Sequence, residues 1–289
     1  MSRKRNVPKK IKPLVDIIIP VLSRFDILGE CIKSIPDAAG KLPYHVYIYD
    51  NGSERIEANA FYDPLDKTNI SITRSSTNLG FPKACNFAFK KGRAPLVFIL
   101  TSDVVLEPGS INELVRVMDN PDVGIVGMKL VFPTEQQLTA TGLVSEGRPA
   151  QKLQHIGLAS TIRGKVGHLF SGWDANHPKV NAMSTENRDG SFRDPMAVTG
   201  AALMTRRKIF SFAGMFWKGY GKGTWEDVDF SLTVKEMGKR VVVAPKAVGT
   251  HYTGATAAQQ NAGFPMGENY QKFILRWRDK LKQTDIDVL

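Results

Sequence analysis

Glu226, Asp227 and Asp229 place three carboxylates within four positions, directly after Trp225 and at the head of a helical pattern. Acids in a first helical turn complement the positive end of the helix dipole, an effect of a few tenths to about 1 kcal/mol. A cluster this dense also repels itself, which raises the pKa of one member and suits a general base. Another acid, Asp103, ends the run Thr101-Ser102-Asp103 behind the apolar segment Leu96–Leu100. An acid directly after a buried strand is costly unless it has a partner. It either caps turn amides or ligates Mg²⁺ or Mn²⁺, which prefer carboxylate and phosphate oxygens. His251 lies in the run Gly249-Thr250-His251-Tyr252-Thr253-Gly254, after a proline-containing connection. A lone histidine is more often structural than ligating, and His155, His168 and His177 are read as structural. The run Gly219–Thr224 is glycine-rich but lacks P-loop spacing, and reads as a flexible lid. No G-x-G-x-x-G follows the first strand, and no H-E-x-x-H, C-x-x-C or nucleophile elbow is present.

These residues must be positioned by a scaffold, and the hydrophobic pattern predicts one. Leu14–Pro20, Tyr44–Asp50, Ile70–Arg74, Leu96–Leu100, Val123–Met128, Ala197–Thr205 and Arg240–Val243 read as strands. Ile27–Ile35, Pro82–Lys91, Ser110–Asp119, an amphipathic Glu226–Met237 and Asn269–Lys282 read as helices. Strands alternating with helices predict an α/β fold, a mostly parallel sheet covered on both faces. Ligands of such sheets bind beyond the carboxyl ends of the strands. That places Pro20 to Arg24, Asp50 to Ser53, Asn78 to Phe81 and Thr101 to Asp103 at the candidate site. From Thr134 to Asp194 the periodicity weakens, as in functional or mobile segments.

The chain has 289 residues, enough for one large domain, and a net charge of +11. Arg3, Lys4, Arg5, Lys9, Lys10 and Lys12 supply six of those charges with no acid among them. Residues 1–13 therefore read as a basic, disordered arm, which either aids solubility or touches a polyanion such as nucleic acid or an anionic membrane. Residues 14–282 read as one domain, with a nucleotide-binding half at 14–130 and an acceptor and catalytic half at 131–282. No apolar run reaches the ~18 residues of a membrane span. Cys31 and Cys85 lack metal spacing, so neither a transmembrane protein nor a disulfide framework is expected, and a cytoplasmic location follows.

The pieces VDIIIPVLSR at Val15–Arg24, YIYDNGS at Tyr47–Ser53, NLGFPKACN at Asn78–Asn86 and VFILTSDVVLEPGSI at Val97–Ile111 come first. QHIG at Gln154–Gly157, VTGAALMTRRKIFSFAGMF at Val198–Phe216, WEDVDFSLTVKEMGKRV at Trp225–Val241 and APKAVGTHYTGAT at Ala244–Thr256 follow. In this order they resemble the family-2 glycosyltransferases of the GT-A fold, in particular the rhamnosyltransferase-like branch. The resemblance implies a Rossmann-like nucleotide-diphospho-sugar transferase that uses Mn²⁺ or Mg²⁺. Pro20, Ser23 and Arg24 would line the base and ribose pocket, and Asp50 would bond the pyrimidine. Asn78 and Gly80 would lie along the nucleotide or sugar. Asp103 and His251 would ligate the metal, with Ser102 beside them. Asp227, with Glu226, would deprotonate the acceptor, and Trp225 would pack on a sugar. Ser102 and Thr101 stand where relatives often carry a further acid, and Lys83 replaces a small residue, reading as a surface lysine or a phosphate contact. With one base and no enzyme nucleophile, transfer from a UDP- or dTDP-sugar would proceed with inversion, onto a glycan or lipid-linked saccharide. Two alternatives remain: transfer to nucleic acid, such as a modified base of phage-type DNA, and a sugar-nucleotide-binding protein without catalysis.

Overall fold

The computed structural model describes residues 12–142, 151–160, 166–180, 194–253 and 265–280. Most of the basic arm, parts of the weakly patterned 134–194 segment and the last two residues of the expected final helix lie outside the described residues.

The first half alternates as expected. Strand β1 (Val15–Val21) leads to helix α1 (Phe25–Ala39), β2 (Tyr44–Asp50) to α2 (Arg55–Tyr62), and β3 (Ile70–Arg74) to α3 (Phe81–Phe89). Next come β4 (Leu96–Leu100), a short β5 (Val104–Leu106), α4 (Ser110–Met118) and β6 (Val123–Val131). The 134–194 segment is more ordered than its sequence pattern implies. It contains α5 (Glu135–Ala140) and the short strands β7 (Leu153–His155), β8 (Leu158–Ser160) and β9 (Val166–His168). These elements are too short to leave a periodic signature. The chain then runs through β10 (Ala202–Arg206), α6 (Arg207–Phe212), α7 (Glu226–Glu236), β11 (Arg240–His251) and α8 (Met266–Trp277).

The main sheet has the order β3-β2-β1-β4-β10-β6-β11-β5, with β7 added beside β6. Strands β3, β2, β1 and β4 are parallel, as are β6 and β11, while β10 runs antiparallel between the two groups. Along β1 the side chains alternate between faces, as a pleated strand requires. Ile17 and Ile19 pack with Leu28 of α1 and Leu114 of α4, whereas Ile18 packs with Cys85 of α3, Phe210 of α6 and Phe230 of α7. Apolar faces on both sides explain why β1 and β4 read as continuous apolar runs.

One polar residue interrupts that core. Asp16 shares the Ile18 face and is fully buried. Its Oδ2 accepts a hydrogen bond from the Ala94 N–H at 2.8 Å and pairs with the Arg207 guanidinium. Arg207 also donates to the carbonyls of Ala94 and Phe89 and lies 4.4 Å over the Phe89 ring. This cluster ties β1, α3 and α6 together at the end of the sheet away from the candidate site. Cys31 and Cys85 are buried free thiols. Among the described residues, no helix is long and apolar enough to cross a membrane.

Candidate active site

Backbone pairing brings Asp103 and His251 together. After β4 the chain turns at Thr101 and reverses into β5, which pairs antiparallel with the end of β11, so that Val104 faces His251. The Tyr252 N–H donates to the Asp103 carbonyl at 2.9 Å, fixing the register beside the acid. His251 Nε2 then lies 3.4 Å from Asp103 Oδ1. The sequence reading put His251 beyond the last strand, but β11 continues to it. Pro245 is accommodated by a register shift between Ala244 and Val248, where the missing N–H costs no ladder bond. Burial opposes ionisation of Asp103, yet the charge and hydrogen bond of His251, with a bond from Thr101, hold its carboxyl below the usual range. Nδ1 of His251 lies 2.9 Å from Gln154 Oε1, the acceptor of its N–H, so Nε2, which donates to Asp103 here, is the nitrogen that would give up its hydrogen to ligate a cation. A carboxylate and such a nitrogen side by side fit a divalent cation. Among the described residues no group of three His, Cys, Asp or Glu side chains gathers.

The carboxylate pair enters on an unusual backbone. Thr224 and Trp225 have consecutive positive φ values of 81° and 73° just before α7. Non-glycine residues in this region cost roughly 1–3 kcal/mol each and persist where the surroundings hold them. Here α8 holds them. Asn269, fully buried, donates through Nδ2 to the carbonyls of Tyr220 and Gly223, at 2.8 and 2.7 Å. Lys272 donates to the Gly219 carbonyl, and Trp277 and Arg276 both reach Asp229. The segment 219–224 is therefore no lid. It begins within a 3₁₀ turn, Lys218–Tyr220, and its Lys222 carbonyl accepts the Phe81 N–H at 3.0 Å. Nor is α7 amphipathic in the ordinary sense. Phe230 and Val234 face the sheet-side core while Val228 faces α8, so both flanks are covered, and Glu226, Asp229 and Ser231 are buried between them.

Asp227 and Glu226 differ in their surroundings. Asp227 Oδ2 accepts from the Gly200 N–H and Oδ1 from the Val228 N–H, each at 2.8 Å. Burial raises the Asp227 pKa and these N–H donors pull it back. Glu226 Oε2 is buried with no hydrogen-bond partner among the described residues. Burial, followed by the Asp227 charge, pushes the Glu226 carboxyl up to about 8. Both effects favour the protonated form of Glu226. Its stability contribution is complete below the pKa of an unfolded-state glutamate and falls away as pH rises towards 8. Glu226→Gln removes that dependence, so from pH 5 to 8.5 the Tm of the variant should fall less than that of the unmodified protein. Parallel Tm–pH curves would refute the assignment.

Both pairs line one cavity of about 510 Å³, together with Pro20, Asn78, Ser102 and Trp225. The other expected site residues do not line it. Arg24 has φ 59° and spends its guanidinium on Asp26 and the Thr141 carbonyl. The Ser23 hydroxyl is buried with no partner among the described residues. Asp50, fully buried at the end of β2, lies 2.8 Å from Arg74 Nε and accepts the Ser53 N–H. Gly80 has φ +86°, and a Cβ there would sit 2.0 Å from the Gly221 carbonyl oxygen, so it makes close backbone contact rather than touching a ligand. Lys83 is half-buried on α3, away from the cavity lining. Trp225 stacks on Phe273 with ring centroids 4.8 Å apart, so one face is taken, while its buried Nε1 has no partner among the described residues.

The cavity also includes Thr199, Gly200 and Lys222, to which the sequence assigned no role, His168, which was read as structural, and Asn51, which was placed at the site only as part of Asp50 to Ser53. Asn51 Nδ2 donates to Asn78 Oδ1, and Asn51 Oδ1 accepts the Leu79 N–H, which shapes the turn before α3. Its place after Asp50 in the strand-end motif was the available signal. His168 carried none, because it stands in a three-residue strand and reaches the cavity by pairing with β8.

The sheet order, the strand ends that supply Asp103 and His251, and the carboxylates at the start of α7 define the GT-A fold class of glycosyltransferases. The chain belongs to glycosyl transferase family 2, whose family model matches residues 16–174. It is 25% identical over 279 residues to protein y4gI of Sinorhizobium fredii (strain NBRC 101917 / NGR234), covering 94% of this chain and 28% of that protein. It is 27% identical over 251 residues to the O-antigen biosynthesis protein RfbC of Myxococcus xanthus, covering 86% of this chain and 18% of that one. The chain thus spans less than a third of the length of either relative. A solved structure of GalNAc-T7 with UDP, GalNAc and Mn²⁺ has the same fold, with a TM-score of 0.66 at 12% identity, covering 94% of this chain and 49% of that one.

Proposed function

We propose that the protein is a metal-dependent, inverting glycosyltransferase of the rhamnosyltransferase-like branch. It moves a sugar from a UDP- or dTDP-sugar to a hydroxyl of a glycan or lipid-linked saccharide. The observation that carries this reading is the convergence of the Asp103–His251 pair and the Glu226–Asp227 pair on one cavity. The family membership, the relative named for O-antigen biosynthesis and the neighbour bound to UDP and Mn²⁺ support it. Residues 14–130 hold the nucleotide and 131–282 hold the acceptor and the base.

Asp103 and His251 Nε2 would hold Mn²⁺ or Mg²⁺, which would supply charge neutralisation for the diphosphate leaving group. Asp227 is the base. Its carboxylate is aimed by the Gly200 and Val228 N–H groups, with the Thr199 side chain beside it. As the acceptor oxygen bonds the anomeric carbon, its proton passes to Asp227, and the electrons of the breaking bond leave with the diphosphate. Glu226, protonated, offers its unpartnered Oε2 as a donor to a sugar hydroxyl. Trp225, whose one ring face is covered by Phe273, would pack on the sugar or the acceptor with what it exposes to the cavity.

A ligand that binds only the folded state raises its melting point by mass action, by about 2.7 kcal/mol of stability at a hundredfold excess over Kd. UDP or dTDP with Mn²⁺ should raise the Tm, each without Mn²⁺ should raise it less, and Asp103→Asn should erase the difference. Flat curves with UDP, dTDP and GDP, with and without Mn²⁺, would refute the reading.

A further inference from the structure

His155 and His168 form a pair whose hydrogens can be assigned from their partners. His155 is fully buried, and its Nε2 accepts the N–H groups of Gly157 at 3.2 Å and Thr199 at 3.3 Å. A neutral imidazole has one N–H donor and one bare acceptor nitrogen. A nitrogen that accepts carries no hydrogen, so the hydrogen of His155 is on Nδ1. That atom lies 2.9 Å from Nδ1 of His168. Such a nitrogen–nitrogen contact holds one hydrogen: two would collide, and none would oppose two lone pairs. Nδ1 of His168 is therefore the acceptor, and its own hydrogen sits on Nε2. Protonation of His168 would force a second hydrogen into the contact. His168 is itself exposed at the cavity, so it is the contact with His155, rather than burial, that disfavours its protonation.

The two rings meet edge to face, 5.0 Å apart and at 80°, so Nε2 of His168 is turned away from His155. His168 lines the same cavity as Asp103 and His251, and no hydrogen bond among the described residues engages its Nε2. We infer that His168 presents a fixed, neutral Nε2–H donor to the diphosphate of the bound sugar nucleotide, and that His155 is the positioning residue that sets its tautomer. This rests on reading the cavity as a nucleotide-sugar site.

The chemistry selects the diphosphate over a sugar hydroxyl. His168 lines the cavity together with Asp103 and His251, the groups that fit a cation and the phosphates bound to it. A phosphate oxygen is only an acceptor, and a nitrogen locked as a donor matches it without choice. A neutral donor is not repelled by the cation, as an imidazolium would be, and still strengthens as charge develops on the leaving group. No proton is transferred. The hydrogen bond alone stabilises the departing diphosphate.

Two measurements test this. Long-range ¹⁵N–¹H correlation spectra at neutral pH should show His155 as the Nδ1–H tautomer and His168 as the Nε2–H tautomer. His168 found protonated, or as Nδ1–H, overturns the inference. Calorimetric titration with UDP and GDP in Mn²⁺, and with uridine and guanosine, supplies the second. A hydrogen bond to a charged partner is typically worth about tenfold or more in affinity. His168→Phe should weaken the bound diphosphate by that factor and leave the nucleoside unchanged, while His168→Gln, which keeps an N–H near the Nε2 position, should recover most of it. His155→Phe should weaken the diphosphate too and shift the His168 tautomer. Diphosphate affinity unchanged in His168→Phe, or nucleoside affinity lost equally, overturns the inference while leaving the transferase reading intact. Unmodified protein that binds neither diphosphate overturns both.

Discussion

Asp227→Asn should lower the rate of sugar transfer by about 10²–10⁴-fold, the usual contribution of a positioned general base. Asparagine has nearly the same shape and its side-chain oxygen can still accept the Gly200 N–H, so the fold and the neighbouring α7 are kept. What is lost is the ability to take a proton from the acceptor hydroxyl. Mn²⁺-dependent nucleotide binding should survive, because Asp227 stands on α7, whereas Asp103 stands in the turn after β4 and His251 at the end of β11. Release of nucleoside diphosphate from the donor measures the rate, and calorimetric titration measures the binding. A variant that transfers sugar at the unmodified rate would remove Asp227 from the mechanism. One that loses nucleotide binding in parallel would place it in the donor site instead.

The second large effect is on stability. Arg207→Met strips Asp16 of its cationic partner while the acid stays fully buried among Ile18, Val97 and the α3 side chains. Removing one partner of a buried pair costs about 3–5 kcal/mol, chiefly because an unpaired charge is left in the core. For a domain of this size that corresponds to a fall in Tm of roughly 10 °C. The double variant Asp16→Asn with Arg207→Met should regain much of the loss, since the uncompensated charge is gone while the Ala94 N–H keeps an acceptor. A single variant within a degree of the unmodified Tm would show that the pair is not what secures β1 to α6.

The sequence made the first half of the fold legible because its strands are long, apolar and separated by helices of ordinary length. The acids at strand ends could be picked out for the same reason. Asp103 was visible as an acid behind LVFIL. His251 was visible only through the order of motifs, since the proline before it hid the continuation of β11. Long-range partners were not legible at all. Nothing local marks Arg207 as the partner of Asp16, which lies 191 positions away. The pinned state of segment 219–224 was missed because glycines signal conformational freedom, and only Asn269 and the Phe81 N–H show that the freedom is used for a tight fit. His155 and His168 look like ordinary structural histidines until their nitrogen partners are traced one by one.

The contact between Gly80 and Gly221 has a consequence for how such a catalyst can change. Main chain meets main chain there, reinforced by the Phe81–Lys222 bond, so the turn leading into α3 and the loop leading into α7 are braced against each other. The spacing across that edge of the cavity, between Asn78 and Glu226, is then set by peptide geometry rather than by side chains. Substitutions elsewhere on the rim can change its chemistry while leaving that spacing as it is.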